Sequence, residues 1–433
     1  MSPVIASPRA FLQGLFDVAV AAAHPANCLA PHLPAPPASG RLVILAAGKA
    51  AGSMAEVAER HYLDQHGLPA SRIGGIAVTR RGYARPTKLV PVFEAGHPIP
   101  DAAGLAATSE TLALADAAGA QDKVLVLISG GASANWIAPA AGVSLTEKQA
   151  LTRALLASGA SITEVNAVRK HLSRIKGGRL AERARPARLV TVAISDVPGD
   201  DPAVIGSGPT VPDPTTLADA RSIVERYRLD LSQAMRRALA DAANETPKPG
   251  DPVFADTSFA LAARPADVFR KVEDGVRAAG YDCILLGTEI EGEARAVAAE
   301  HARLAHELKA VHRHAVILSG GELTVTVRGK GRGGPNQEYA LALSSALAEE
   351  PGIAALAADT DGTDGGSGRP DDPAGAFIDA STATRARSLG LDPAVFLNDN
   401  NSTEFFAKLG DLLAPGPTFT NVNDFRAILV DSP

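Results

Sequence analysis

Apolar and polar positions along the chain fall into two alternating kinds of segment. Short apolar runs, most of them apolar at consecutive positions, occupy 42–46, 76–78, 89–93, 124–128, 189–194, 283–286, 316–318 and 353–357. Each leads into a turn rich in Gly or Asp and then into a longer helical stretch. Continuous apolar runs predict strands covered on both faces, the habit of a parallel sheet with helices on either side, so the fold class is α/β. Near the start, Phe11, Leu12, Leu15, Phe16, Val18 and Ala22 share one side of a 3.6-residue period, which predicts an amphipathic helix lying on the domain. Residues 217–242 read as a long helical region ending in the polar, Pro-containing stretch 244–252. That stretch is the expected boundary, with domains at 1–247 and 248–433.

Composition narrows the classes of function. With 433 residues, 46% of them hydrophobic and 21% charged, the chain can bury sizeable cores. A net charge of −6 supplies no basic field for a nucleic-acid backbone or an anionic membrane. The apolar stretch 11–23 is too short to span a bilayer and lacks a basic leader. Cys28 and Cys283 cannot build a disulfide framework, and no Cys/His cluster suggests structural zinc. The expectation is a cytoplasmic protein with a small-molecule substrate and no nucleic-acid or membrane partner. The oligomeric state stays open, a homo-oligomer included.

In open parallel sheets ligands sit beyond the carboxyl ends of the strands, so chemistry is sought in the segments after the apolar runs. Gly48-Lys49-Ala50-Ala51-Gly52-Ser53 is a turn opening a helix whose N-terminal amides favour an anion, with Lys49 adding a point charge. The same residues also serve as a tight turn with an exposed lysine. Ser129-Gly130-Gly131, with Ser133 close behind, and Ser319-Gly320-Gly321-Glu322 are two Ser-Gly-Gly turns whose N–H groups can converge on phosphate or carboxylate. Asp196 ends a buried run, where a carboxylate calls for a metal, a base or a ligand hydroxyl. Asp359, Asp361 and Asp364 lie within six residues on a loop that can hold Mg²⁺ or form a plain Asp/Gly turn.

Gly329-Lys330-Gly331-Arg332-Gly333-Gly334 matches G-x-G-x-x-G, the pattern of a dinucleotide turn. The strand expected before it, 323–328, alternates apolar and polar residues, and the turn carries two cations, so it reads more naturally as a mobile phosphate clamp. His97 reads as a hydrogen-bonded structural histidine. Arg169, Lys170, His171, Arg174, Lys176 and Arg179 read as a solvated basic helix face.

Taken in order, several of these segments form one string: Gly48-Lys49-Ala50, Glu94-Ala95-Gly96-His97-Pro98, Ser129-Gly130-Gly131, Asn166-Ala167-Val168-Arg169, Lys176-Gly177-Gly178 and Ser195-Asp196-Val197. It continues with Ser207-Gly208-Pro209-Thr210, Ser319-Gly320-Gly321-Glu322, Asn336-Gln337-Glu338, Asp359-Thr360-Asp361-Gly362-Thr363-Asp364 and Asn421-Val422-Asn423-Asp424. The string resembles the class II glycerate kinases, the glycerate 2-kinase or MOFRL family, some of whose members carry the label hydroxypyruvate reductase. The resemblance implies two α/β domains, a larger N-terminal one with a Rossmann-like parallel sheet and a smaller C-terminal one of MOFRL type, with a cleft between them. It implies ATP- and Mg²⁺-dependent phosphorylation of D-glycerate to 2-phosphoglycerate.

On that reading Lys49 and Arg332 neutralise the transferred group and Asp196 serves the acceptor hydroxyl. Ser129, Gly130, Gly131, Ser133, Ser319, Gly320, Gly321, Glu322, Asn336 and Gln337 hold phosphate and substrate, and Asp359, Asp361 and Asp364 hold the metal. Relatives carry Arg where this chain has Pro335, which is why Arg332, three residues earlier, is expected to supply the guanidinium. Two other functions fit parts of the sequence. One is an NAD(P)H-dependent hydroxypyruvate reductase, and the other a non-catalytic binding protein for small carboxylates.

Overall fold

The structure, a computed structural model, describes residue 5 and residues 7–311, 314–366 and 369–431. It divides into two compact units, one of Pro25–Ala262 and one that joins Met1–His24 to Ala263–Pro433.

The first unit is built on a six-stranded sheet. Its strands are β1 (Leu42–Ala47), β2 (Ile73–Arg80), β3 (Val92–Ala95), β4 (Lys123–Ile128), β5 (Arg188–Ile194) and β6 (Thr257–Ala263). Their order is β3-β2-β1-β4-β5-β6. β1 runs parallel to β2 and β4, β2 to β3, and β4 to β5. β1 is buried at every position, and β4 and β5 at all but their first, as the continuous apolar runs require of a sheet covered on both faces.

Between β4 and β5 the chain forms helices Leu145–Ala157 and Ile162–His171, each opened by a capping box, Ser144 with Glu147 and Ser161 with Glu164. The long helix expected over 217–242 is two helices, Leu217–Arg226 and Gln233–Ala240, parted by a turn in which Arg228 has a φ of 50°. The polar stretch 244–252 was expected to part the domains, but β6 follows it and takes the edge of the first sheet beside β5. The compact units therefore divide at Ala262.

The second unit carries β7 (Asp282–Gly287), β8 (Gly292–Glu293), β9 (Ala315–Ser319), β10 (Leu323–Thr324), β11 (Ile353–Asp359), β12 (Gly375–Asp379), β13 (Leu412–Leu413) and β14 (Asp424–Val430). Its main sheet has the order β13-β12-β11-β14-β9-β7, and β8 and β10 form a separate short ribbon. In the main sheet β7 and β9 are parallel, whereas β9, β14, β11, β12 and β13 pair antiparallel in turn. The runs at 316–318 and 353–357 are thus continuous in apolar residues without belonging to a parallel sheet. Both faces are covered all the same, which removes the alternation that marks a half-exposed antiparallel strand.

The helix expected near the start is Pro8–Ala23, with Ser7 accepting a hydrogen bond from the Ala10 N–H. Its apolar side, with Leu12, Leu15 and Phe16 buried, packs on helix Pro265–Ala278 and on β11 and β14. Phe16 meets Phe425 edge-on at 5.9 Å, and Phe425 stacks with Phe269 at 6.0 Å. The amphipathic period predicted the buried positions Leu12, Leu15, Phe16 and Ala22, but Phe11 is only half-buried and Val18 is exposed, and the face packs within the second unit rather than on the domain that follows it in sequence. No helix among the described residues is long and apolar enough to cross a membrane.

Candidate active site

Three strands of the first sheet end level with one another. Ala47 pairs in register with Ile128, and Ile128 with Ala193. The turns carrying Lys49, Ser129 and Asp196 therefore leave one edge of the sheet side by side. They do so where β1 has β2 on one flank and β4 on the other, the point at which strand order reverses and ligands gather in open α/β sheets.

The Lys49 turn and the Ser129 turn lock into each other. The Lys49 N–H donates to the Gly130 carbonyl at 2.7 Å, and the Ala50 N–H donates to Ser129 Oγ at 2.9 Å. Gly48 has a φ of 117°, and a Cβ there would lie 2.4 Å from the Ser129 carbonyl oxygen, so only glycine lets the two turns meet. At Gly131, φ 83°, a Cβ would stand 2.9 Å from His97 Nε2 and 3.4 Å from Lys49 Cγ. Lys49 and His97 thus converge over Gly131. Ser133 Oγ is hydrogen-bonded to Ser207 Oγ at 2.6 Å, and Ser207 Oγ donates to Asn166 Oδ1 at 3.4 Å. The Ser133 carbonyl accepts from Lys176 Nζ at 2.7 Å.

Of the residues singled out in this unit, Lys49, Gly130, Gly131 and Ser133 come together, and Asp196 stands two residues past the adjacent β5. Ser129 is completely buried and its oxygen is taken by the Ala50 N–H. It fastens the turns together rather than facing a ligand. His97, expected to be only structural, lies against the same glycine as Lys49. Asn166, Lys176 and Ser207 were not picked out as site residues. The expected solvated basic face is in fact buried at Lys170, His171, Lys176 and Arg179. The only sequence signal for this was the run of glycines, Gly177-Gly178 and Gly206 with Gly208, that lets these segments approach.

The residues singled out in the second unit play other parts. Asp364, 2% exposed, caps the helix Pro335–Leu347 from outside. Its Oδ1 accepts from the Asn336 N–H at 3.0 Å and from Asn336 Nδ2 at 3.2 Å, and its Oδ2 from the Gln337 N–H at 2.8 Å and Gln337 Nε2 at 3.0 Å. Asn336 and Gln337 are buried by this arrangement and do not present their donors to a ligand. Burial pushes the Asp364 carboxyl up to about 7, with Asp424 adding to the rise against the donors of Asn336 and Gln337. Asp361 Oδ1 accepts from the Thr363 N–H and hydroxyl, and Asp359 Oδ1 from the Asp361 N–H. Among the described residues no group of three His, Cys, Asp or Glu side chains is placed to hold a metal ion. The set Asp359, Asp361 and Asp364 therefore does not form the metal site expected of it, because Asp364 is spent on the helix start.

The second Ser-Gly-Gly turn is likewise committed. Ser319 Oγ accepts from Arg426 Nε at 3.1 Å, the Gly320 carbonyl accepts from Arg426 Nη2, and the Gly320 N–H donates to the Gly287 carbonyl at 2.9 Å. A Cβ on Gly320 would press on Phe269 and one on Gly321 on Ile290, so these glycines serve close packing. Arg426 and its partner Asp424 (2.7 Å) hold this turn, and neither was expected there. Glu322 is exposed.

The loop Gly329 to Gly334 is not built as a dinucleotide turn. The strand before it is the two-residue β10, and the amides of the helix after it are filled by Asp364, which leaves no place there for a pyrophosphate. Asp399 Oδ1, Asn400 Oδ1 and Asn401 Oδ1 accept from the N–H groups of Lys330, Gly329 and Arg332. Side chains at Gly329, Gly331 and Gly333 would collide with Asp399, Asn401 and Ser402. The backbone is thus tied down while the Arg332 side chain is exposed. Pro335 is the first residue of the helix, a position that needs no N–H donor.

Residues 11–240 match a family described as a domain of unknown function, DUF4147, and residues 315–424 match the MOFRL family. A protein of Agrobacterium vitis named "Putative hydroxypyruvate reductase" is 44% identical over 98% of this chain and 95% of its own. The D-glycerate 2-kinase of Thermotoga maritima is 40% identical over 89% of each chain. A crystal structure of glycerate kinase from Thermotoga maritima superposes with a TM-score of 0.84 at 37% identity, covering 98% of this chain and 99% of that one. With matches of this length to both units, the chain belongs to the glycerate kinase (MOFRL) family.

Proposed function

We propose that the chain is an ATP- and Mg²⁺-dependent kinase that phosphorylates D-glycerate on its 2-hydroxyl. The observation that carries the reading is the pair of interlocked turns at the strand-order reversal of the first sheet, with Lys49 standing over Gly131. A lysine set among backbone amides at the carboxyl edge of what we take to be a Rossmann-like sheet suits a phosphoryl group, which needs positioning and charge neutralisation rather than covalent chemistry. The relatives named for glycerate phosphorylation support the choice of substrate.

In this reaction the 2-hydroxyl oxygen of glycerate bonds to the γ-phosphorus as the bond from that phosphorus to the β–γ bridging oxygen breaks, leaving ADP. The hydroxyl proton passes to Asp196, and Lys49 and Arg332 offset the charge on the transferred group. Mg²⁺ would enter with the triphosphate as part of the substrate, where it would add neutralisation while needing few protein carboxylates.

The test is an assay of the purified protein with D-glycerate, ATP and Mg²⁺, run beside hydroxypyruvate with NADPH. ADP release that depends on D-glycerate, with 2-phosphoglycerate identified by phosphorus NMR, is the expected result. NADPH oxidation without ADP release would replace this reading with the reductase whose name the Agrobacterium vitis relative carries.

A further inference from the structure

Beside the Lys49 turn, the first unit gathers three cations that have no counter-ion among the described residues. Lys148 and Lys176 are only 2% and 1% exposed, and Arg169 is half-buried. Lys148 Nζ donates to the carbonyls of Arg169 at 2.9 Å and Leu172 at 3.1 Å, at the carboxyl end of helix Ile162–His171. Lys176 Nζ donates to the Ser133 carbonyl. All these acceptors are neutral. Among the described residues none of the three cations forms an ion pair, and the Arg169 guanidinium has no hydrogen-bond acceptor.

Lys170, the next residue on the same helix, shows the usual solution, since it is buried against Asp213 at 3.2 Å. The charges feel one another. Burial first, then Arg169 and Lys148, hold the Lys176 ammonium well below its usual range, and burial with Arg169 does the same to Lys148. Keeping an uncompensated cation out of water is unfavourable, a cost that an anion in the same place would offset.

We propose that Arg169 and Lys176, backed by the charge of Lys148, form a seat for the carboxylate of a small hydroxy acid, with the Ser133 and Ser207 hydroxyls at its rim. A guanidinium without a partner offers the planar fork that fits the two oxygens of a carboxylate. The enclosure of Lys176 suits a small monoanion, whereas a triphosphate needs an open edge such as that of the Lys49 turn. Ser133 ties the seat to that turn, being two residues beyond Gly131. The proposal rests on the kinase reading for the identity of the acid, D-glycerate, but not for the existence of the seat.

The experiment measures D-glycerate binding by calorimetry without nucleotide, and KM for both substrates, in wild type, Arg169→Met and Arg169→Lys. Arg169→Met is expected to weaken D-glycerate at least tenfold while KM for ATP stays within twofold, and Arg169→Lys to recover part of the loss. Removing an uncompensated cation is also expected to leave the unliganded melting temperature equal or higher, which a merely structural arginine would not do. Unchanged D-glycerate affinity, or a loss confined to ATP, overturns the proposal, the latter giving the seat to nucleotide phosphate. Should the wild type bind D-glycerate through Arg169 yet never phosphorylate it, the kinase reading falls and the seat stands.

Discussion

Lys49 and Ser319 were both marked by their place after an apolar run and beside glycines, and their surroundings separate them. Lys49 stands over Gly131 with His97, at a turn held by backbone bonds. Replacing it with Met is expected to lower kcat by about 10²- to 10³-fold, as read by steady-state assay. Arg332 projects from a loop tied down by Asp399, Asn400 and Asn401. Its change to Ala should lower kcat about 100-fold or more if it neutralises the transferred group, and unchanged turnover would remove it from the mechanism. Ser319 resembled Ser129 in sequence, yet its hydroxyl belongs to Arg426, a residue 107 positions away. Composition and spacing reveal the turn, but not which distant side chain has already consumed its donors and acceptors.

Elements were legible where they depend on local pattern. The starts of helices Leu145–Ala157 and Ile162–His171 are written in their Ser-x-x-Glu boxes. The helix Pro335–Leu347 shows the limit, because its cap comes from Asp364, well down the chain from the amides it meets. That placement turned a carboxylate expected on a metal into part of a helix. Helix Ala294–Ala310 yields a pH prediction. Its His301 is 4% exposed, hydrogen-bonded through Nδ1 to the Tyr339 hydroxyl at 2.8 Å, and pushed down to about 4 by burial and then by the charge of Arg426. In the unfolded chain a histidine protonates near 6.5, so the unfolded state takes up the proton first as pH falls. The contribution of His301 is therefore complete above about pH 6.5 and is lost as pH drops towards 4, by on the order of 3 kcal/mol. Denaturant melts from pH 7 to 4 should show that slope in wild type and a flatter one in His301→Gln.

At the scale of the whole molecule, the chain starts in one unit, builds the other, and returns. Helix Pro8–Ala23 lays Phe16 on Phe425 and covers β11 and β14, so the second unit needs the first residues of the sequence for its own core. Phe16→Ala is expected to cost about 3–5 kcal/mol in the unfolding of that unit. A fragment of residues 25–262 should give a cooperative melt, whereas residues 263–433 without 1–24 should not; a cooperative melt of the latter would show that the helix is dispensable. The sequence by itself determined the α/β class, the buried strands and the glycine-rich turns that follow them, because burial and backbone conformation leave periodic, local marks. It also carried the family string that the matches to both units bear out. Tertiary structure decided which unit the first helix serves, that the second sheet is largely antiparallel, and that Asp364 and Ser319 are spent internally. The physical reason is that a donor, an acceptor or a charge is defined by the partner that satisfies it, and those partners come from segments far apart in the chain.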